Sequence, residues 1–178
     1  MARLRRFRAY HTLERPYTRV SKFKKKAFVK ARPHKNLIRY DMGTFGRKYT
    51  HQVILTPKVD HNVRDNSMES ARQTSNKILE SSIGTPMYFF KIHPYPHHIL
   101  REHSLASGAG ADRFSSGMAH PFGKPLANAV RLRKGQTLFS VKVDKVNIPV
   151  AIRAMKRAAT KLPFSCYVLV NELKEKAS

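Results

Sequence analysis

Glycine and lysine residues that could grip a phosphate group concentrate between residues 103 and 124. Four of the chain's eight glycines lie in this stretch. A dinucleotide-binding fingerprint would need a further glycine where Arg113 stands, and a P-loop would need serine or threonine after Lys124, where Pro125 stands. The spacing therefore argues against nucleotide hydrolysis and indicates a glycine-rich loop of another kind.

Serine, aspartate and histidine side chains in the same loop could form a hydrolytic site. The serines would be the nucleophiles, with Asp112 nearby. A nucleophile needs a base and an orienting acid within hydrogen-bond reach, and no spacing pairs these serines with His103 or His120. Serines in glycine-rich loops are usually turn residues. We therefore predict no catalytic residue and no enzymatic activity.

Four histidines, at positions 93, 97, 98 and 103, could ligate a metal ion. Two prolines separate them, and alternation along a strand places His97 and His98 on opposite faces. Zinc sites usually draw on cysteine or carboxylate ligands as well, whereas the only nearby acid is Glu102 and the chain has a single cysteine, Cys166. We predict neither a metal nor a cofactor. Neutral histidines that bond to RNA are the favoured interpretation, and a metal site is the alternative that the sequence leaves open.

Net charge is the strongest signal in the composition. Thirty-five lysines and arginines against 11 acids give a formal charge of +24. Such a charge attracts polyanions, so RNA, DNA and an anionic membrane are the partners to consider. No apolar run reaches the roughly 18 residues of a membrane span, and the N-terminus has no apolar signal core. We therefore expect a nucleic acid and no membrane.

Residues 1–35 form a basic extension that carries half of this net charge. They hold 13 lysines and arginines against one acid, Glu14, and aromatic residues lie between the cations. Cations neutralise phosphates and aromatic rings stack on unpaired bases, so we predict an RNA-binding extension without a core residue, ordered only when bound. A solvated, disordered tail is the alternative. The predicted RNA-binding cations of the extension are Arg3, Arg5, Arg6, Arg8, Arg15, Arg19, Lys22, Lys24, Lys25, Lys26, Lys30, Arg32 and Lys35.

The rest of the chain predicts one α+β domain over residues 36–171, followed by a short tail over 172–178. Strands are predicted where apolar, β-branched and aromatic residues cluster. These clusters lie at 37–40, 51–55, 87–92, 97–101, 126–133, 137–143 and 166–170. A turn is predicted at 41–43. Strand runs interrupted by helices are typical of the α+β class.

Helical spacing of apolar residues predicts two helices. The first covers 66–82, with Asn66 as its cap and Gly84 after its end. The second covers 148–162 and follows Asn147. Its non-apolar faces carry four cations, which either contact RNA phosphates or form only a solvated face; the sequence leaves both open. These cations are Arg153, Lys156, Arg157 and Lys161.

Known nucleic-acid-binding signatures are missing from the sequence. No helix-turn-helix, zinc finger, RRM or KH pattern is visible, which favours recognition of folded RNA by shape and backbone. The loop over 103–124 carries few charges, which argues against ordinary solvated disorder. We predict that it is a functional tip held by the domain, with Arg113 as a phosphate partner and Asp112 bonding to the loop's own backbone.

Several segments resemble one family of ribosomal proteins. The most specific is the loop motif Gly108-Ala109-Gly110-Ala111-Asp112-Arg113. The other segments lie at 41–43, 91–101, 117–118, 122–125, 133–140 and 154–163. Together they resemble the universal large-subunit ribosomal protein sixteen family, in its archaeal and eukaryotic "L-ten-e" branch, over about residues 36–170.

The resemblance implies a compact mixed-sheet sandwich of the hammerhead type, with two helices, a long glycine-rich loop and a basic N-terminal extension. It implies a structural component of the cytoplasmic ribosome that binds large-subunit rRNA near the 5S rRNA and meets other large-subunit proteins, without forming a homo-oligomer. The loop would point toward the peptidyl-transferase centre and the acceptor arm of tRNA. The tRNA-proximal residues would be Gly108, Gly110, Asp112, Arg113, Gly117, Met118, Gly123 and Lys124. A free RNA-binding or RNA-chaperone module is the alternative function, and an RNA-processing enzyme is the third.

Overall fold

The computed structural model describes residues 7–18, 22–27, 29, 33–102 and 123–173. Its helices are α1 (Asp65–Ile83) and α2 (Ile148–Ala159), accompanied by short 3₁₀ turns. Its strands are β1 (Asp41–Gly43), β2 (His51–Pro57), β3 (His61–Arg64), β4 (Tyr88–Ile92), β5 (His98–Glu102), β6 (Lys124–Leu132), β7 (Phe139–Val143) and β8 (Cys166–Glu172). This composition confirms the predicted α+β class. Neither helix has the length and apolar character needed to cross a membrane, within the ranges given above.

The strands form two sheets. One has five strands in the order β1-β4-β7-β2-β8, and the other has three in the order β3-β6-β5. The resemblance implies a mixed sheet, whereas each strand pair that the structure describes is antiparallel. Parallel neighbours need long crossover connections, usually helical, and antiparallel neighbours do not.

The hydrophobic core lies where the helices pack against the sheets, and it draws residues from both of them. Phe90 and Phe139, on neighbouring strands, meet edge to face with 5.4 Å between ring centroids. Leu79 of α1 and Met155 of α2 are fully buried in the same cluster. Burying a side chain of this size stabilises the fold by about 1.5–3 kcal/mol. Apolar contacts between the helices and both sheets therefore hold the scaffold together.

The first turn of α1 differs from the prediction. Arg64 occupies the N-cap position and no side chain caps the turn, so the predicted cap at Asn66 is wrong. Asp65 is buried instead, and its Oδ2 accepts hydrogen bonds from the backbone N–H of Asn36 at 3.1 Å and from its Nδ2 at 3.0 Å. A carboxylate in the first turn also complements the helix dipole. This contact fixes the start of the domain to the start of α1.

The remaining helix predictions agree with the structure except at one end. Gly84 follows α1 with φ +78° and donates its N–H to the carbonyl of Glu80, as its predicted role requires. The second helix ends at Ala159 and not at residue 162, because the chain tightens into turns there. Asn147 holds the cap position without a side-chain bond. The apolar face of α2 is buried as predicted, through Ala151, Ala154, Met155 and Ala158.

The strand predicted at 37–40 is not present. Leu37 is buried with 1% exposure, but Ile38 is 73% exposed, so the segment anchors one side chain without entering a sheet. The strand lies one step later, at β1, where we predict a turn. There Met42 pairs with Phe90 of β4, which extends the large sheet by one short edge strand.

Strand β3 has no counterpart among the predicted strands. Its sequence, His-Asn-Val-Arg, contains a single apolar residue, so neither alternation nor an apolar run signals a strand. His61 and Asn62 are nevertheless buried, at 1% and 7% exposure. Pairing with β6 is what makes this polar segment a strand.

Two neighbouring glycines provide a stability test. Gly43 and Gly46 both have positive φ, +86° and +88°. A Cβ on Gly43 would lie 2.1 Å from the carbonyl oxygen of Tyr88, whereas a Cβ on Gly46 would meet nothing within 4 Å. Gly46→Ala should cost about 1–2 kcal/mol from backbone strain alone. Gly43→Ala should cost more than that, because β1 must also move away from β4. Thermal unfolding of the two variants measures the difference, and equal melting temperatures would contradict the close approach.

Candidate nucleic-acid interface

The basic extension lies across the three-stranded sheet. The backbone N–H of Asn62 donates to the carbonyl of Tyr10 at 2.9 Å, and its Nδ2 donates to the carbonyl of Thr12 at 3.1 Å. The N–H of Ile99 donates to the carbonyl of Tyr17 at 3.2 Å. The described part of the extension is thus tied to β3 and β5. The boundary between extension and domain at residue 35 stays a prediction.

A second amide holds the end of the extension. Nδ2 of Asn128 on β6 donates to the carbonyls of Pro33 at 3.3 Å and His34 at 2.8 Å. Val29 is buried, with 5% exposure. The prediction that the extension contributes no core residue is therefore wrong. The sequence gives no signal for this, because a single valine among cations has no periodicity.

His98 fastens the middle of the extension. The backbone N–H of Tyr17 donates to His98 Nδ1 at 2.9 Å, and the Arg101 guanidinium lies 4.1 Å from the centroid of the Tyr17 ring. Burial, and then the charge of Arg131, lower the pKa of His98 from 6.5 to about 4. A neutral imidazole can accept this hydrogen bond and a protonated one cannot. The contact therefore depends on His98 remaining uncharged.

The predicted histidine cluster is divided among separate contacts. His93 Nε2 lies 2.7 Å from Ser140 Oγ, and His97 Nδ1 lies 3.0 Å from the carbonyl of Tyr95. His103 lies outside the described residues. Among those described, no group of three or more histidine, cysteine or acidic side chains could hold a metal ion.

The described cations of the extension are exposed. Lys24, Lys25 and Lys26 form one 3₁₀ turn with open side chains. The amines of Lys22 and Lys26 lie 5.4 and 5.6 Å from the ring centroid of Phe23, which is 58% exposed. An exposed ring beside cations suits a nucleotide, since the ring can stack on a base. The exposed members of the predicted set also include Arg8, Arg15 and Lys35. Outside the described residues lie Arg3, Arg5, Arg6, Arg19, Lys30 and Arg32.

The structure shows an aromatic pair beside Lys35 that the sequence does not predict. The rings of Tyr40 and Tyr95 stack with 5.7 Å between centroids, and the Lys35 amine lies 4.8 Å above the Tyr95 ring and contacts its hydroxyl. Burial raises the pKa of Tyr40 to about 12. Tyr95 is 45% exposed, so this cluster faces outward. The two tyrosines are 55 residues apart in the sequence, and only folding brings them together. The lysine beside them, Lys35, is one of the predicted RNA-binding cations.

All four predicted cations of the second helix region are exposed. Arg153, Lys156 and Arg157 lie opposite the buried alanines of α2, and Lys161 follows the end of the helix. Arg153 donates from Nη2 to Ser82 Oγ at 2.9 Å, which positions its guanidinium at the end of α1. Lys156, Arg157 and Lys161 complete a second basic surface. Their contact with phosphate stays a prediction.

The glycine-rich loop leaves from the end of a β-hairpin. Strands β5 and β6 pair up to Glu102 opposite Lys124, with a register shift at Leu100 and Arg101. Gly123 has φ +60°, and Lys124 is exposed. The other predicted tRNA-proximal residues lie outside the described residues, and they are Gly108, Gly110, Asp112, Arg113, Gly117 and Met118. The structure therefore gives the base of the loop and not its tip.

Comparison with known proteins identifies one family. The model of the family "Ribosomal protein L16p/L10e" matches residues 16–169. The chain is 40% identical over 173 residues to "Large ribosomal subunit protein uL16" of Methanococcus maripaludis, covering 97% of this chain and 96% of the relative. It is 36% identical over 165 residues to the protein of that name from Archaeoglobus fulgidus, covering 93% and 91%. The likeness extends into the basic extension, further than the predicted limits of about 36–170.

Acidification should release the extension from the sheet. In the docked state burial, and then the charge of Arg131, lower the pKa of His98 from 6.5 to about 4, so its hydrogen bond to Tyr17 is complete above pH 6.5 and is lost as the pH falls through 4. NMR signals of residues 10–17 measure docking across this range. His98→Asn keeps a hydrogen-bond acceptor and cannot titrate, so it should weaken the pH dependence and leave only the part due to other histidines. An unchanged pH profile in that variant would contradict the role of His98.

Proposed function

Because the chain belongs to the ribosomal protein L16p/L10e family, we propose that it is a structural constituent of the large ribosomal subunit that binds large-subunit rRNA. We further propose that it holds the loop over 103–124 toward the peptidyl-transferase centre and the acceptor arm of tRNA. As a ribosomal protein it acts in translation and is not an enzyme. Its place beside the 5S rRNA and beside other large-subunit proteins belongs to the same proposal.

The observation that carries the rRNA proposal is the exposure of the cations. The net charge of +24 is not neutralised internally, since the chain has only 11 acids. The described cations of the extension and of the second helix region point into solvent. RNA phosphates are the natural counter-charge, and each contact releases counterions from the RNA. The exposed Phe23 and Tyr95 rings beside lysines add stacking surfaces.

The loop proposal is supported by the hairpin that carries it. Strand β6 is paired on both sides, by β3 and β5, so both ends of the loop start from a three-stranded sheet. Small residues let a backbone approach another surface closely, and Arg113 would supply a charge-assisted hydrogen bond to phosphate. A firmly held base with a small-residue tip suits close passage along tRNA.

Sedimentation tests the function as a whole. A tagged copy of the full chain should migrate with large ribosomal subunits in a sucrose gradient and stay with them at high salt. A free RNA-binding or chaperone module would leave the subunits at high salt and appear at the top of the gradient. Recovery only at the top would therefore contradict the proposed function and favour that alternative.

The lysines of the Lys24–Lys26 turn should contribute phosphate contacts without affecting the fold. Replacing all three by glutamine should weaken binding to large-subunit rRNA and reduce the slope of log affinity against log salt by about 0.7–0.9 per lost contact. Filter binding across a salt series measures both. Replacing the same three lysines by arginine preserves the charge and is the matched control. An unchanged slope in the glutamine variant would show that this turn does not meet RNA.

Shortening the loop should separate assembly from activity. Residues 107–119 are replaced by a short Gly-Ser linker, which leaves the Glu102–Lys124 pair and both basic surfaces intact. The protein should enter large subunits in normal amount, while peptide-bond formation slows and the tRNA footprint changes. Arg113→Ala should give a milder defect, since it removes one contact worth about 1.5–3 kcal/mol at most. Normal rates and footprints with the shortened loop would contradict the tRNA-proximal role and leave only a structural one.

A further inference from the structure

Strand β8 is the last strand of the large sheet, and within the described residues one of its sides is unpaired. It pairs with β2 and with no other strand that the structure describes. At one end of this pair of strands the N–H of Lys58 donates to the carbonyl of Ser165 at 3.1 Å. At the other end the N–H of Leu173 donates to the carbonyl of Thr50 at 2.8 Å. Positions that bond to the partner strand alternate along an antiparallel pair. Ser165 and Leu173 bond to β2, so the even-numbered residues of β8 direct their backbone N–H and C=O groups away from β2. These residues are Cys166, Val168, Val170 and Glu172.

The side chains of the same strand leave apolar surface exposed. Tyr167, Leu169 and Val170 are 51%, 48% and 43% exposed, while Cys166 and Val168 pack against the core. Natural proteins usually protect an exposed edge strand with lysine, proline or a bulge. The sequence of β8, Cys-Tyr-Val-Leu-Val-Asn-Glu, contains neither of these residues, and its register with β2 is regular over all seven pairs.

The charge of this region differs from that of the rest of the chain. Residues 163–173 contain no lysine or arginine and one acid, Glu172, although the chain as a whole carries 35 lysines and arginines. The Lys58 amine lies 4.5 Å above the Tyr167 ring at one end of the strand, and Glu172 lies at the other end. RNA interfaces depend on cations, whereas the cores of protein interfaces are depleted in charge and rich in aromatic side chains. The surface therefore fits a protein and not RNA.

We propose that the open side of β8 is the docking edge for a second protein of the assembly. That protein adds an extended segment beside Cys166–Glu172, so that its backbone pairs with the four outward-facing residues. Its apolar side chains cover Tyr167, Leu169 and Val170. The charges at the two ends select an acidic side chain near Lys58 and a basic one near Glu172. The proposal rests on the proposed function, because the large subunit supplies the neighbouring protein.

Hydrogen exchange tests the backbone pairing without any substitution. The amides of Val168 and Val170 should exchange at least about tenfold more slowly in purified large subunits than in the free chain, because pairing closes them to solvent. The amides of Tyr167 and Leu169 are bonded to β2 and should be protected in both samples. Equal exchange of Val168 and Val170 in the two samples would overturn the proposal.

Photo-crosslinking identifies what covers the edge. A benzophenone amino acid replaces Leu169, and purified large subunits are irradiated. The expected product joins residue 169 to an extended segment of a different protein. Crosslinks to rRNA, to a second copy of this chain or to residues 174–178 would each overturn the proposal, as would no crosslink. The same group at Arg157, on the exposed basic face of α2, is the control for crosslinking to RNA.

The two hypotheses fail in different ways. Absence of the unmodified chain from large subunits would contradict the proposed function. Its presence there with an unprotected β8 edge would contradict only the docking edge. If the Leu169 variant does not assemble, hydrogen exchange on the unmodified chain still decides the question.

Discussion

Electrostatic repulsion among 35 lysines and arginines, opposed by 11 acids, is the constraint on which the arrangement of this chain depends. Among the described residues no lysine or arginine is buried, and the buried carboxylate of Asp65 is bonded to Asn36. The basic extension lies on a sheet that itself contains arginines. Uncharged groups, namely the amides of Asn62 and Asn128 and the imidazole of His98, hydrogen-bond it to this sheet, and the Arg101 guanidinium packs on its Tyr17 ring.

Hydrogen bonds from neutral side chains leave the positive charge of the basic extension available to RNA. A carboxylate that paired with the extension would have to be displaced before a phosphate could bind, and that exchange would reduce the gain in affinity. The described cations of the extension and of the second helix region remain exposed. The surface is thus divided by chemistry, since the basic regions fit rRNA and the β8 edge, which has no lysine or arginine, fits another protein.

Local patterns made most of the scaffold predictable. The alanines of α2 recur at helical spacing, and the apolar run of β4 is plain in the sequence. The contacts that build the site have no local pattern: Asn62 bonds to Thr12 across 50 residues and Asn128 to His34 across 94. Strand β3 could not be predicted for the same reason, because its pairing with β6, and not its own sequence, makes it a strand. The exposed cations follow from composition, while the loop's role comes from a resemblance between motifs and stays a prediction.

The hairpin of β5 and β6 also sets how accurately its loop can be aimed. Any change in the orientation of the hairpin displaces the far end of a long loop in proportion to its distance from the hairpin. Here the extension bonds to Ile99 and Asn62 of the sheet that carries the loop, and Val130 of β6 anchors the same sheet in the hydrophobic core. Whatever the loop's own sequence, its aim can therefore be no more precise than the orientation of this small sheet.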